Sequence, residues 1–215
     1  MKIVYIYCEG QTEESFINEV LAPYLANIMI FAVPIVCTTK RTASIKHRGG
    51  VSDYNKIKNE VQILCRQHKN AIITTMFDYY AMPVNTPEIN CTEVDIYKRM
   101  DIIEKAINKD IGENNFFFNF ILHEFEGLLF SSPTSFSEIA NDNIVAKIQH
   151  MRDEATSPEH INNSPETAPS KRLESLIPNY AKITNGTLVS KKMGIDIILK
   201  ECKHFSSWIE KIKTL

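Results

Sequence analysis

Glycine is scarce in this chain, with seven in 215 residues against nine prolines. That balance argues against propellers, repeat sandwiches and collagen-like chains. Cysteine occurs five times, at positions 8, 37, 65, 91 and 202, and never as a C-x-x-C pair. An odd, scattered set suits the reduced thiols of a cytoplasmic protein better than a disulfide framework. Neither sign of charge dominates. A formal net charge of −2 and a pI near 6.3 exclude a globally basic nucleic-acid binder, while leaving room for a local basic patch. The N-terminal apolar run meets Glu9 too soon to be a signal-peptide core. Residues 21–39 carry no charge, but Pro23, Asn27, Pro34 and the Thr38-Thr39 end interrupt them, so a helix end plus a buried strand is expected and no membrane span. Several catalytic signatures are also missing. There is no G-x-x-x-x-G-K-[ST] loop, no G-x-G-x-x-G turn and no G-x-S-x-G elbow, and HEFEG lacks the second histidine of a zinc-protease helix.

What is present reads as a soluble globular domain, 44% apolar and 23% charged. Residues 3–8 (IVYIYC), about 29–37, and 71–77 (AIITTMF) are continuous β-prone runs, the pattern of strands buried on both faces. A fourth such run is FFFNFIL at 116–122. Between them lie helical segments. Phe16, Ile17, Val20 and Leu21 follow an acidic first turn. Ser52 opens a helix with Ile57, Val61 and Leu64, and Thr92 with Asp95 suggests a capping box before Ile96, Met100, Ile103 and Ile107. Strands alternating with helices predict a mostly parallel α/β sheet. The expected division is an α/β core over 1–131 and a helical extension over 132–215 packed on it, with helices near 135–152 and 194–213. Residues 156–172, with three prolines, read as a long irregular segment.

In open α/β sheets the ligand site lies beyond the carboxyl ends of the strands. Three of the four runs end there on acids: Glu9 with Glu13 after the first, Asp78 after the third, and His123, Glu124 and Glu126 after the fourth. Carboxylates gathered on one edge repel one another, and hard divalent cations take oxygen ligands. Magnesium or manganese is the economical explanation. Each acid also has an ordinary reading. Glu9, Glu13 and Glu14 would complement a helix dipole, Asp78 would fit a turn, and Glu124 or Glu126 would fit a solvated helix face. In a helix over 123–130, His123 and Glu126 share a face and Glu124 points elsewhere. Cys8 lies inside a buried run and reads as a small hydrophobe. Residues 40–50 (KRTASIKHRGG) hold Lys40, Arg41, Lys46, His47 and Arg48 and end in two glycines that allow close backbone approach to a ligand. They read either as a phosphate-tracking loop or as a solvated one.

CEGQTEE after the first strand and FDYY after a later one resemble the Toprim fold of topoisomerases, primases and overcoming-lysogenization-defect nucleases. More specifically, EGQTEESF, TMFDYY, HEFEGLLF, SPEHIN, ETAPSKR and CKHFSSWI together resemble the bacterial Toprim-like domain-of-unknown-function family 4276, across nearly the whole chain. The resemblance implies that Glu9 is the Toprim glutamate, Asp78 the first acid of a D-x-D pair and Glu13 the further acid of the lysogenization-defect nucleases. Tyr80 stands where the second aspartate is expected.

On this reading a metal-dependent nuclease is expected first. Glu9, Glu13, Asp78 and Glu126 would be the metal ligands for Mg2+ or Mn2+, Lys171, His123 and Glu124 the catalytic residues, and Lys40, Arg41, Lys46 and Arg48 the nucleic-acid contacts. Lys171 would stabilise charge developing on the phosphoryl group, although Ser170 capping a helix that begins at Lys171 explains the same letters. The resemblance further implies a phage-defence or mobile-element setting beside an ATPase partner. Two alternatives stand beside the nuclease: a catalytically weakened module that docks to such an ATPase, which Tyr80 favours, and a phosphohydrolase acting on small substrates.

Overall fold

A computed structural model describes residues 2–37, 53–161 and 167–215. It is a mixed α/β fold with a parallel sheet flanked by helices and a helical C-terminal region. Strand β1 (Lys2–Cys8) runs between β2 (Ile30–Val36) and β3 (Ile72–Asp78), and β3 pairs in turn with two short strands, β4 (Phe116–Phe117) and β5 (Phe120–Ile121). Every described pairing is parallel. From β1 the chain passes to β2 on one side and then crosses to β3 on the other. The turning point of the topology therefore falls between β1 and β3, which is where such sheets open a crevice.

Burial on both faces explains the unbroken apolar runs of β1 and β3, whereas β2, at the end of the described sheet, leaves Phe31 and Val33 exposed. Val4, Ile6, Cys8 and Met76 pack against Phe16, Leu21 and the late helices through Phe205, Trp208 and Ile212. On the opposite face Tyr7, Ile73 and Phe77 meet Ile57 and Val61 of α3 (Tyr54–Gln67) and Met100, Ile103 and Ile107 of α4 (Ile96–Ile111). The first helical run comprises α1 (Gln11–Phe16), one π turn (Ile17–Leu21) and α2 (Ala22–Ala26). Pro23 has no N–H to donate, and the π turn before it takes up the break in the hydrogen-bond ladder.

Three local expectations are corrected. The cap of α3 is Asp53, whose carboxylate accepts the Asn55 N–H. The cap of α4 is Asp95 itself, accepting from Tyr97 and Lys98, so no Thr92 box forms. FFFNFIL is two dipeptide strands rather than one. At the break, the Thr75 hydroxyl accepts the Asn119 N–H at 2.8 Å and donates to the Asn119 carbonyl at 2.9 Å. The Phe118 and Phe120 N–H groups donate to Asn108 and Glu104 of α4. Side chains here take the place of ladder partners for the Phe118, Asn119 and Phe120 N–H groups and the Asn119 carbonyl.

After α5 (Phe125–Leu129) and a 3-10 turn at Pro133–Glu138, the expected helix near 135–152 begins only at Asn141, which caps α6 (Asp142–Asp153). The helix expected at 194–213 is two, α9 (Ile195–Glu201) and α10 (Lys203–Thr214), divided at Cys202. The helix that the Ser170-Lys171 order allows forms as α7 (Pro169–Leu176), while α8 (Lys182–Met193) leaves no pattern in the sequence. The buried residues of α8 include Gly186, Thr187 and Ser190, too small and polar to mark an apolar stripe. Gly186 permits the approach: a Cβ there would stand 3.1 Å from the Phe125 ring.

Candidate functional site

The parallel register that sets Cys8 beside Met76 delivers the residues following β1 and β3 to the same edge of the sheet. Glu9 follows β1, and Glu13 lies in the first turn of α1 with its carboxylate accepting the Gly10 N–H at 2.8 Å. Asp78 ends β3, and its Oδ1 accepts the Phe125 N–H at 3.0 Å. That bond ties the start of α5 to the strand edge and brings Glu126, in the first turn of α5, among the other acids. The helix begins at Phe125 and not at His123, so Glu124 is a cap-position residue in extended conformation. Its Oε2 accepts the Ser170 N–H of α7 at 3.0 Å. His123 takes the left-handed φ of 64° that makes the turn between β5 and α5 possible.

Glu9, Glu13 and Glu126 are 7%, 7% and 3% exposed. Burial, followed by the Glu9 carboxylate, pushes Glu13 up to about 7. Burial pushes Asp78 well above the ordinary carboxylate range, with Glu13, Glu9, Glu126 and Glu124 adding to the effect. Glu126 is also raised, by burial first, with Lys182 opposing and Glu124 reinforcing. Like charges taken out of water disfavour their own ionisation. Lys182, at the start of α8, stands 3.7 Å from Glu126 Oε1. Burial works against its charge, yet Glu126, Glu124, Glu174 and Asp78 together hold its pKa above the usual value. Among the described residues, this is the ammonium that faces Glu126.

Glu126 Oε1 and the Tyr180 hydroxyl are buried oxygens with no hydrogen-bond partner among the described residues. A buried carboxylate oxygen that lacks a hydrogen bond and meets only the Lys182 ammonium at 3.7 Å, beside other carboxyls, is the kind of oxygen donor a hard divalent cation takes. A finished coordination shell is not present: among the described residues no three His, Cys, Asp or Glu side chains are grouped to hold a metal ion. The site supplies the electrostatic demand and the oxygen donors.

Other expected residues are placed differently. Burial and then His160 bring His123 down to about 4, against Glu124, so it is neutral near pH 7. Lys171 lies on α7 with its ammonium on Glu174 at 2.5 Å, an exposed pair one turn apart. The cap of α7 is Ala168, and Ser170 is inside the helix, where it is the Ser170 backbone that reaches Glu124. Tyr80 is 47% exposed in a 3-10 turn directly after Asp78. Lys40, Arg41, Lys46 and Arg48 lie outside the described residues. Lys182 and Tyr180 were not legible beforehand, because neither sits in a motif and only the packing of α8 on α1 and α5 carries Lys182 to the acids.

The family model described as Domain of unknown function (DUF4276) matches residues 8–213, and the chain belongs to that family. No curated protein and no solved structure matches it.

Proposed function

We propose that this member of the DUF4276 family is a divalent-metal-dependent phosphodiester hydrolase, a nuclease of Toprim type. The observation that supports it is the gathering of Glu9, Glu13, Asp78 and Glu126 at one edge, where burial and neighbouring carboxyls raise Glu13, Asp78 and Glu126 and, among the described residues, Lys182 is the cation beside Glu126. Glu9, Asp78 and Glu126 would hold Mg2+ or Mn2+, with Glu13 supporting a second ion. The metal, when bound, lowers the pKa of a water and offsets charge on the phosphoryl oxygens. Lys182 supplies fixed positive charge on the same side as Glu126, the task expected of Lys171, and so favours negative charge developing on a bound phosphate. His123, brought down to about 4, is neutral and only weakly basic near pH 7, so its ring would orient the attacking water by hydrogen bonding and not carry its proton. Glu124 holds α7 against the site through Ser170. The basic residues Lys40, Arg41, Lys46 and Arg48 would track the substrate backbone. A cytoplasmic location and an ATPase partner in a defence or mobile-element setting complete the proposal. No helix among the described residues is long and apolar enough to cross a membrane, which is compatible with it.

The second reading, a non-catalytic module docked to an ATPase, is favoured by the exposed Tyr80 in place of a second aspartate. Calorimetric titration with Mn2+ and a cleavage assay on labelled single- and double-stranded DNA and RNA decide between them. Binding and cleavage, both lost in Asp78→Asn, support the hydrolase. Binding without cleavage of any polymer or of small phosphate esters supports the module, and absence of Mn2+ binding removes both the metal and the nuclease.

A further inference from the structure

The connection that leaves β3 treats two adjacent tyrosines in opposite ways. Tyr79 packs on the fold, its ring meeting that of Phe120 edge-on at 5.6 Å between centroids. Tyr80 is 47% exposed, and among the described residues no other ring and no ammonium lies against it. Apolar groups scattered singly on a surface are ordinary. Val84 and Val94, each 89% exposed on the same connection, are of that kind. Tyr80 differs by its place.

Its backbone is fixed at the carboxyl edge of the sheet, where open α/β folds take their ligands. Asp78 is the last residue of β3, and the 3-10 turn Tyr79–Ala81 begins at once. The Tyr80 N–H donates to the His123 carbonyl at 3.3 Å, and the Met82 N–H closes the turn on the Tyr79 carbonyl at 3.3 Å. Tyr80 therefore ties the end of β3 to the turn after β5, with Asp78 two residues before it and Glu124 next to its hydrogen-bond partner. Two residues of chain span at most about 7 Å. A group held at Asp78 is within reach of the Tyr80 ring.

A phosphodiester held at the acidic edge brings a base with it, and a base has two flat faces that aromatic side chains cover well. A tyrosine ring supplies that cover at little entropic cost, because only two side-chain torsions are fixed. We propose that Tyr80 stacks on the base of the nucleotide whose phosphate occupies the acidic edge, which makes the substrate single-stranded nucleic acid. The proposal rests on the hydrolase reading and names its substrate class. In a duplex each base is already stacked and paired, and has to be drawn out before a side chain can cover it. Stacking accepts any base, so Tyr80 selects strandedness and not sequence.

The test is steady-state cleavage with Mn2+ by the full-length protein, Tyr80→Leu and Tyr80→Phe. The substrates are a labelled single strand, its duplex, and a strand of equal length built from abasic nucleotides. The parent protein should cleave the single strand with a kcat/KM about tenfold or more above that for the duplex. Tyr80→Leu, which keeps an apolar side chain without a ring, should raise KM for the single strand by about tenfold. Tyr80→Phe, which keeps the ring, should recover most of that loss. On the abasic strand the parent and Tyr80→Leu should become equal, because the partner of the ring is gone. Mn2+ affinity and the unfolding temperature should be the same in all three proteins, since the ring is exposed. A leucine variant equal to the parent on the intact strand, a phenylalanine variant as impaired as the leucine one, or a duplex cleaved as well as the single strand would overturn the assignment. Any of these in a parent that binds Mn2+ and cleaves leaves the hydrolase standing and removes only the stacking. A parent that binds no Mn2+ or cleaves no polymer removes both.

Discussion

Two sets of buried acids in this molecule are treated in opposite ways. At the α4–α10 seam, Glu159 is 3% exposed and accepts both the His204 N–H at 3.0 Å and the Phe205 N–H at 2.9 Å, closing the start of α10. Glu104 accepts the Phe120 N–H and pairs with His204. At the strand edge burial first, and neighbouring carboxyls with it, raise Glu13, Asp78 and Glu126, and Glu126 Oε1 has no hydrogen bond among the described residues. The first set is satisfied by the fold. The second is left in want of positive charge, a state that costs stability and is kept where a site needs it. Buried acids are therefore better sorted by their partners than by their burial.

That contrast is broken or sharpened most strongly by exchanging the two kinds of acid for neutral residues. Asp78→Asn removes one repelling charge and keeps a hydrogen-bond acceptor for Phe125. Cleavage should fall by at least about 100-fold, while the unfolding temperature in EDTA at pH 8 holds or rises. A large drop in that temperature would place Asp78 with the structural acids. Glu159→Ala should do the reverse. It leaves two N–H groups at the start of α10 without their acceptor, a loss of about 2–4 kcal/mol by denaturant titration. Mn2+ affinity should be unchanged. Unaltered stability would mean that Glu159 is not what closes that helix.

The same distinction explains what could be seen in the sequence. Strands β1 and β3 and helices α3 and α4 were legible because each buries one regular pattern of large apolar residues, and β2 because its run is apolar and β-branched although half of it faces outward. The acids were legible because they follow strands. Lys182 was not, since it approaches through α8, whose contact surface is small residues such as Gly186 and Ser190. Ser170 was read as a cap because its side chain was the visible feature, whereas its backbone N–H makes the contact. Motifs distant in sequence meet in pairs: TMFDYY with HEFEGLLF through Asp78 and Phe125, HEFEGLLF with ETAPSKR through Glu124 and Ser170, SPEHIN with CKHFSSWI through Glu159 and His204. The last of these meetings fastens a helix, so a family motif there reflects architecture and not the acidic site.

A smaller effect is expected at the strand break. Thr75→Val preserves shape but leaves the Asn119 N–H and carbonyl buried without the hydroxyl they share. A loss of about 2 kcal/mol in denaturant titration follows. Cleavage should be less affected than by Asp78→Asn, because Thr75 is inside β3 and not at its end. Stability equal to the parent protein would show that the break is imposed by Asn108 and Glu104 alone.

The gentlest perturbation, which changes no residue of either acid set, is a change of pH. Glu13 rises from its usual 4.5 to about 7 on folding. A raised carboxyl holds its proton in the folded state after the unfolded chain has released it. Stability therefore falls as pH rises from about 4.5 to 7, by up to about 1.4 kcal/mol per pH unit for each such group, and levels off above. Asp78 and Glu126 act in the same direction. His204 does too, since Glu104 holds it above its ordinary value and its contribution is lost as pH rises through the folded pKa. Thermal unfolding in EDTA should thus occur at a lower temperature at pH 8 than at pH 6. Asp78→Asn should flatten the profile and leave the His204 share behind. Adding Mn2+ at pH 8 should recover the lost stability, since a cation favours the ionised acids that repulsion otherwise penalises. A profile unchanged by both Asp78→Asn and Mn2+ would assign the whole slope to the satisfied pair at the seam and leave the strand edge with no electrostatic debt for a metal to settle.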